Sequence, residues 1–400
     1  MDELRKETVV DVRRPLRVPA AVGFLALLTA GLPGVEAQSA ARALSQAPRV
    51  LRLAFVGDIM GHDVNYGMED YRDIYRGVRD VFLSEDLTFA NLEFPLDPSR
   101  PPAGYPTFNG TPAYLAAAVD SGIDLFSLAN NHAFDRGEEG IFQTIRALEN
   151  ARMRSARPFA YSGTRGNPHR PFHAETLIVR GVRVGFIAVA QFLNEPDQGR
   201  YVNVVDFSNE AQVDDFLTFV RGVSPLYDLF IVSYHGDHEY AQEPSPLKRA
   251  FFRQLLEAGA QIVVGHHPHV VQGYDLMQVR GTQRLAMYSM GNFISGMTWR
   301  LDPAEMQGII AATGESYILA VDVRCDAAGC SVLQPDPIPI ANYMNDRSQM
   351  VAARMSDLAD GSVKVSPAWR AYYARRLGLM RAFLGRFAPA TGSVRSGSAP

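Results

Sequence analysis

Short runs of β-branched and aliphatic residues alternate along the chain with longer amphipathic stretches, the pattern of an α/β protein. Leu51 to Val56, Leu87 to Ala90, Leu125 to Ala129, Leu229 to Ser233, Gln261 to Val264 and Leu285 to Ser289 read as buried strands. Thr111-Pro112 opens a helix that ends near Gly122, and Ser245-Pro246 opens one that ends near Gly259. In each, a capping hydroxyl precedes a proline suited to the first turn, and a glycine follows the last. Both helices run directly into a strand. Thr176 to Ala190, with Arg180-Gly181 at its middle, predicts an antiparallel hairpin, so the sheets are expected to be mixed. A second hairpin is predicted from Tyr317 to Ile340. Beyond it the pattern turns helical over 347–358 and 369–387, the second stretch with Tyr373, Leu377, Met380 and Leu384 at helical spacing.

The two ends differ from this body. Arg13, Arg14 and Arg17 precede an apolar run of about fifteen residues, short of the roughly 20 that span a bilayer. Pro33-Gly34 and then Val35-Glu36-Ala37 follow, the order of a secretory leader with cleavage near Ala37. A retained anchor is the alternative. The expected organisation is a leader at 1–37, a linker at 38–49, one domain at 50–340, a helical extension at 341–387 and a disordered Gly/Ser/Pro-rich tail at 388–400. The expected location is the periplasm or cell envelope. There the two cysteines, Cys325 and Cys330, which flank a turn-like Asp326-Ala327-Ala328-Gly329, are expected to form a disulfide. A net charge of -4 and the absence of any nucleic-acid-binding motif argue against a nucleic-acid partner.

Histidine carries the chemical signal. Of nine in 400 residues, His62, His132, His235, His238, His266, His267 and His269 fall where predicted strands end, and only His169 and His173 stand apart. Strand ends are where an α/β protein gathers ligands, and a metal site must collect neutral imidazoles and carboxylates from several of them. The densest group, Gly265-His266-His267-Pro268-His269, follows the run Ile262-Val263-Val264.

Five other segments join it: Val56-Gly57-Asp58-Ile59-Met60, Asn91-Leu92-Glu93, Asn130-Asn131-His132 with Asp135-Arg136-Gly137, His235-Gly236-Asp237-His238-Glu239-Tyr240, and Tyr288-Ser289-Met290-Gly291-Asn292-Phe293. In this order and spacing the set resembles the CapA family of capsule and poly-γ-glutamate synthesis proteins, itself similar in fold to the calcineurin-like metallophosphoesterases. The resemblance covers Leu51 to Val323. It implies a sandwich of two mixed β-sheets flanked by helices, and one or two divalent metal ions held without cysteine, for which manganese, iron, zinc and calcium are all suited. It also implies roles. Asp58 is a ligand of the first ion, Glu93 a bridge, Asn131 and His235 ligands of the second, and His267 and His269 are divided between them. His132 is the acid/base histidine, with Asp135 or Asp237 to fix its tautomer. His266 is a supporting residue, and His62, Asp63, His238, Glu239 and Asn292 are possible accessories.

The chain departs from the family in two places. Met60 stands where metallophosphoesterases usually carry a histidine, so one well-held ion, with Glu93, Asn131, His235 and His267, and a weaker second near Asp58 and His269 are expected. Gly236 and Asp237 replace the usual Trp and Gly, opening the pocket wall. Each segment also has a plainer reading: Asp58 as a helix cap, Asn130-Asn131 as a turn, His238 as a solvent-facing residue. The resemblance implies an anionic polymer or peptide-like substrate and, as partners, membrane proteins of capsule synthesis or export. A metal-dependent hydrolase or transferase, a non-catalytic polymer-binding or assembly subunit, and a peptide isomerase using His/Asp acid-base chemistry all fit the same residues.

Overall fold

Leu51, Leu53 and Phe55 project to one face of strand Arg49–Ile59 (β2) and Ala54 and Val56 to the other, and all five are buried. A strand with apolar residues on both faces needs a layer on each side. The structure, a computed structural model, describes residues 10–12, 48–197, 200–304 and 308–387, and it supplies both layers. β2 lies within an eight-stranded sheet. Leu87–Leu92 (β3), Leu125–Ser127 (β4) and Ala160–Ser162 (β5) continue it in parallel on one side. Glu315–Asp326 (β13), Gly329–Met344 (β14) and Met350–Arg354 (β15) extend it in antiparallel fashion on the other, while Asn292–Ile294 (β12) pairs with the end of β2. The second sheet has seven strands. In spatial order they are Val10–Val12 (β1), Glu175–Val179 (β6), Val182–Ala190 (β7), Leu229–His235 (β8), Ile262–His266 (β9), Thr282–Met287 (β11) and Tyr274–Val279 (β10), with β7, β8, β9 and β11 parallel.

Leu53, Phe55 and Phe89 from one sheet meet Val184, Phe186, Ile231 and Val264 from the other in a single apolar layer. Phe89 reaches across it to Phe186, edge to face, with 5.7 Å between ring centroids. Helices Arg79–Ser84 (α1), Pro112–Asp120 (α2) and Gly137–Arg154 (α3) pack on the outer face of the eight-stranded sheet. Glu210–Val223 (α4) and Pro246–Ala258 (α5) cover the outer face of the other. The architecture is therefore the expected two mixed sheets flanked by helices. The two caps read from sequence are in place: the Thr111 hydroxyl accepts from the Tyr114 amide and the Ser245 hydroxyl from the Lys248 amide.

The C-terminal part differs from its expected helical form. Only Met355–Asp360 (α7) of the stretch 347–358 is helical; Met350–Arg354 is β15, the edge strand on β14. The run Met350-Val351-Ala352-Ala353 is buried throughout, and pairing with β14 satisfies backbone groups that a helix start at that place would leave exposed on the sheet edge. Ile309–Thr313 (α6) is a short helix after β12. The last helix, Pro367–Leu384 (α8), buries Tyr373, Leu377, Met380 and Leu384 as the spacing predicted. It is fastened to β13 by Arg376, whose Nη2 donates to Glu315 Oε2 at 2.6 Å. Cys325 and Cys330 face each other across the β13–β14 turn and are bridged. Among the described residues no helix is long and apolar enough to cross a membrane. The expected tail at 388–400 lies outside the described residues, as does the expected leader at 1–37 except for β1, which pairs in parallel with β6.

Candidate metal centre

The parallel strands of both sheets end at one place. Asp58, at the end of β2, lies opposite Asn91 of β3, and Glu93 follows one residue beyond β3. In the other sheet His235, the last residue of β8, lies opposite His266 of β9. Gly57 permits the approach of the β12 turn: a Cβ there would sit 1.8 Å from the Gly291 carbonyl oxygen, which accepts from the Asp58 amide at 3.0 Å. The loops after β8 and β9 turn sharply. Asp237, Tyr240, His267 and His269 all have positive φ, four of the seven non-glycine residues that do among those described. Side-chain-bearing residues adopt this conformation rarely, and it concentrates at functional sites.

Asp58, Glu93, Asn131, His235, His266, His267 and His269 are all buried and close together. His235 Nε2 is 2.8 Å from Asn131 Oδ1, 3.2 Å from His267 Nδ1 and 3.6 Å from Glu93 Oε1. His269 Nε2 lies 3.7 Å from the same Glu93 oxygen, and its Nδ1 donates to Asn292 Oδ1 at 2.9 Å. His266 is not among the converging donors; its Nδ1 bonds Asp58 Oδ1 at 2.8 Å and its ring lies on Phe89.

Burial and neighbouring charge set unusual protonation states. Burial pushes the Asp58 carboxyl up, but hydrogen bonds and charge from His266 and His269 outweigh it and hold the group well below the usual carboxylate range. Burial, followed by the charge of Asp58, drives Glu93 well above that range. Burial likewise lowers His235 far below an ordinary imidazole and His267 to about 3, in each case with a neighbouring histidine adding to the effect. Two imidazoles are therefore neutral at pH 7 and able to offer lone pairs.

The remaining predicted residues surround this core. His132 Nδ1 bonds Asp135 Oδ2 at 2.8 Å, and the same oxygen accepts from the Phe108 amide at 2.7 Å. Asp237 does not reach His132. Its Oδ2 accepts from the Ser245 amide at 2.8 Å, joining the β8 loop to α5. His62 stands on the flank, its ring 5.2 Å from that of Phe108, and burial, followed by the charge of His269, lowers its pKa to about 4. Met60 packs into the apolar layer beneath α2. Asp63, His238 and Glu239 are exposed.

Three residues that the sequence reading passed over also serve the site. Asn91 lies within the quoted Asn91-Leu92-Glu93, two residues before Glu93 on the same strand face; its amide nitrogen contacts Asp58 Oδ1 at 2.9 Å, Glu93 Oε2 at 3.3 Å and His235 Nδ1 at 3.3 Å. Asn194, from the loop after β7, contacts both Asn131 and His132, and no local pattern marks it. Lys248 is fully buried, with Nζ donating to the Gly236 carbonyl at 3.1 Å; burial lowers its pKa to about 8 against the opposing charges of Asp237 and Asp58.

The donor set fits divalent metal. Asp58 Oδ2 and Glu93 Oε1 are buried with no hydrogen-bond partner, an arrangement that calls for a missing counterpart. Two groups of donors lie within 4.8 Å of one another: Glu93 with His267 and His269, and Asp58 with Glu93 and His235. Glu93 is common to both, as a bridging carboxylate must be. The division differs from the expected one, since His269 groups with His267 and His235 with Asp58. Oxygen and nitrogen donors without sulfur suit manganese, iron, zinc or calcium.

Residues 52–297 match the model of the family described as bacterial capsule synthesis protein PGA_cap. The chain is 26% identical over 331 residues to the capsule biosynthesis protein CapA of Bacillus anthracis, covering 78% of this chain and 75% of that one. It is 26% identical over 291 residues to the PGA biosynthesis protein CapA of Bacillus subtilis, covering 69% and 72% respectively. Among solved structures, a phosphatase from Mycoplasma pneumoniae aligns with a TM-score of 0.44 and 14% identity over 75% of this chain and 96% of that one, too loose a likeness to bear on the reaction. With well over half of its length matched, the chain belongs to the bacterial capsule synthesis protein family PGA_cap.

Proposed function

We propose that the protein is an exported, metal-dependent hydrolase or transferase acting on a cell-surface polymer or its precursor, at a phosphoester or at an amide of a γ-linked chain. One observation carries the reading: a buried cluster of carboxylates and neutral imidazoles with orphaned oxygens lies beside an oriented His132–Asp135 pair. Asp58, Glu93, Asn131, His235, His267 and His269 would hold the metal, which when bound supplies Lewis acidity and an activated water. His132 does the proton work. With Nδ1 engaged by Asp135, its Nε2 is the atom that takes or gives a proton at the reacting group. Asp135 is itself fixed by the Phe108 amide, so the imidazole is held from behind. Asn91 and His266 orient the two carboxylates.

Capsule and PGA biosynthesis in the two Bacillus relatives supports a polymer substrate. Export belongs to the same reading, with the leader removed near Ala37. The mass of protein recovered from the cell envelope tests that step, and a retained Met1 would identify an anchor instead. The decisive experiment is metal analysis of the purified protein together with a hydrolysis screen against phosphoesters and poly-γ-glutamate, in wild type and His132→Ala. Tight metal with turnover lost in the variant supports the enzyme. Polymer production restored by His132→Ala as fully as by wild type would make the protein an assembly subunit.

A further inference from the structure

The charge of this chain is unevenly divided. From Ser362 to its end it carries Lys364 and six arginines and no acidic residue. The whole chain stands at -4, so without those seven cations the remainder stands at -11. An acidic protein with its cations gathered in one segment presents a local field opposite to its overall one.

Helix α8 displays that charge on its outer side. Its apolar face, with Tyr372, Tyr373, Leu377, Met380 and Leu384, is buried, and Arg376 is spent on Glu315. Arg370, Arg375 and Arg381, with Arg386 in the turn just past the helix, are exposed, and none of the four forms an ion pair among the described residues. Asp360 stands near Arg370 but accepts from the Ser362 amide at 2.8 Å. At the pitch of an α-helix, Arg370 and Arg381 fall on one line along its axis, about 16 Å apart, and Arg375 and Arg386 fall on a second. Ala371, Ala374, Gly378 and Ala382, all exposed, lie between the two lines. The result is a shallow trough with a floor of small side chains and two cationic rims.

The trough runs beside the metal centre. Leu379, one turn after Arg375, faces a cleft of about 150 Å³ whose other wall includes Gln242, Val270 and Val271. Val270 follows His269 directly, and Gln242 lies in the loop after β8. Charge decides the occupant. Four guanidinium groups without carboxylate partners complement a chain that repeats an anion at every unit, and the small floor lets its backbone come close. A helix that rests on a bilayer instead sinks an apolar face into the lipid. That of α8 is turned to the protein's own core, and Leu379 is the one large apolar side chain of the helix left strongly exposed.

We propose that the outer face of α8 docks a segment of poly-γ-glutamate, holding it between the arginine rows while another part of the same chain reaches the metal centre. This rests on the reading that the site works on a surface polymer, and it names a chain of carboxylates as that polymer and α8 as its anchor. No bond is made or broken at the helix.

The test is biolayer interferometry of the purified protein on immobilised poly-γ-glutamate. Arg370→Gln, Arg375→Gln, Arg381→Gln and Arg386→Gln combined are expected to weaken binding by roughly tenfold or more, since exposed charge pairs contribute little singly but accumulate. Glutamine is a good helix former, and an unchanged melting temperature verifies the fold. A second quadruple variant, Arg146→Gln, Arg154→Gln, Arg221→Gln and Arg253→Gln, removes the same charge from exposed positions on α3, α4 and α5. At physiological ionic strength it is expected to bind within about twofold of wild type, because distant charges are screened. Equal loss in the two variants, or no loss in the first, overturns the proposal. Wild type that ignores poly-γ-glutamate but is held through the four arginines by phosphatidylglycerol vesicles overturns it in favour of a membrane contact. Turnover separates the anchor from the enzyme reading. Helix-dependent binding without hydrolysis leaves the anchor standing and removes the reaction, whereas hydrolysis with binding indifferent to the four arginines does the reverse.

Discussion

Asn292 holds His269 by its far side. The amide oxygen of Asn292 accepts from Nδ1 at 2.9 Å, while its own nitrogen donates to the Thr313 carbonyl at 3.0 Å, so neither the amide nor the imidazole can flip without losing a bond. The proton is thereby kept on Nδ1 and the lone pair of Nε2 is turned toward Glu93. Such supports behind a ligand typically contribute 10- to 100-fold in metal affinity. Asn292→Leu is therefore expected to weaken metal binding by about that factor, as measured by competition with a chelator; unchanged affinity would remove His269 from the ligand set.

Asp135→Asn replaces the acceptor on His132 Nδ1 with a group that can also donate, so the imidazole loses its enforced tautomer. Under the proposed activity, turnover should fall by about 10²- to 10⁴-fold, with metal content unaltered. Retention of full turnover would remove the pair from the reaction.

The metal-free protein should respond to acid through its buried imidazoles. His267 has a folded pKa of about 3, below its ordinary value, so between about pH 6.5 and pH 3 the unfolded chain binds a proton that the folded one does not. Its contribution to stability is full above that window and is lost as pH falls through it. Glu93, raised on folding, acts with the opposite sign above the ordinary carboxylate pKa, so the comparison must be between variants. Denaturant midpoints taken from pH 7 to pH 5 should fall more steeply for wild type than for His267→Gln. Parallel curves would show that His267 is not buried neutral.

Replacing Cys325 and Cys330 together by serine opens a small loop at the end of the β13–β14 hairpin. The lost restraint on the unfolded chain is worth about 2 kcal/mol, to be read from chemical denaturation, and thiol titration of unreduced wild type should return none.

Local chemistry made much of this molecule legible. The caps at Thr111 and Ser245 and the Arg180-Gly181 turn depend on a few adjacent residues, and each element formed where those residues put it. Met350 to Arg354 misled because its state is decided at long range, by an open edge on β14 that no neighbouring residue reveals. The site divides in the same way. The histidines and carboxylates stood out by type and by strand-end position. Asn194 did not, since an asparagine in a loop is ordinary until folding brings it to His132. The resemblance offers Asp135 or Asp237 as the partner of His132, but Asp237, at positive φ, accepts from the Ser245 amide at the start of α5 and leaves His132 to Asp135.

Asp58 and Glu93 arrive on one sheet, and His235, His267 and His269 on the other. An ion held among them would act as a rivet across the seam of the sandwich, so that occupancy and cohesion of the two halves become a single thermodynamic quantity. Melting temperature then rises with the logarithm of free metal concentration once the site begins to fill. A cell that withholds the metal would leave this end of the protein loosened, and the protein's survival would track the supply of the ion.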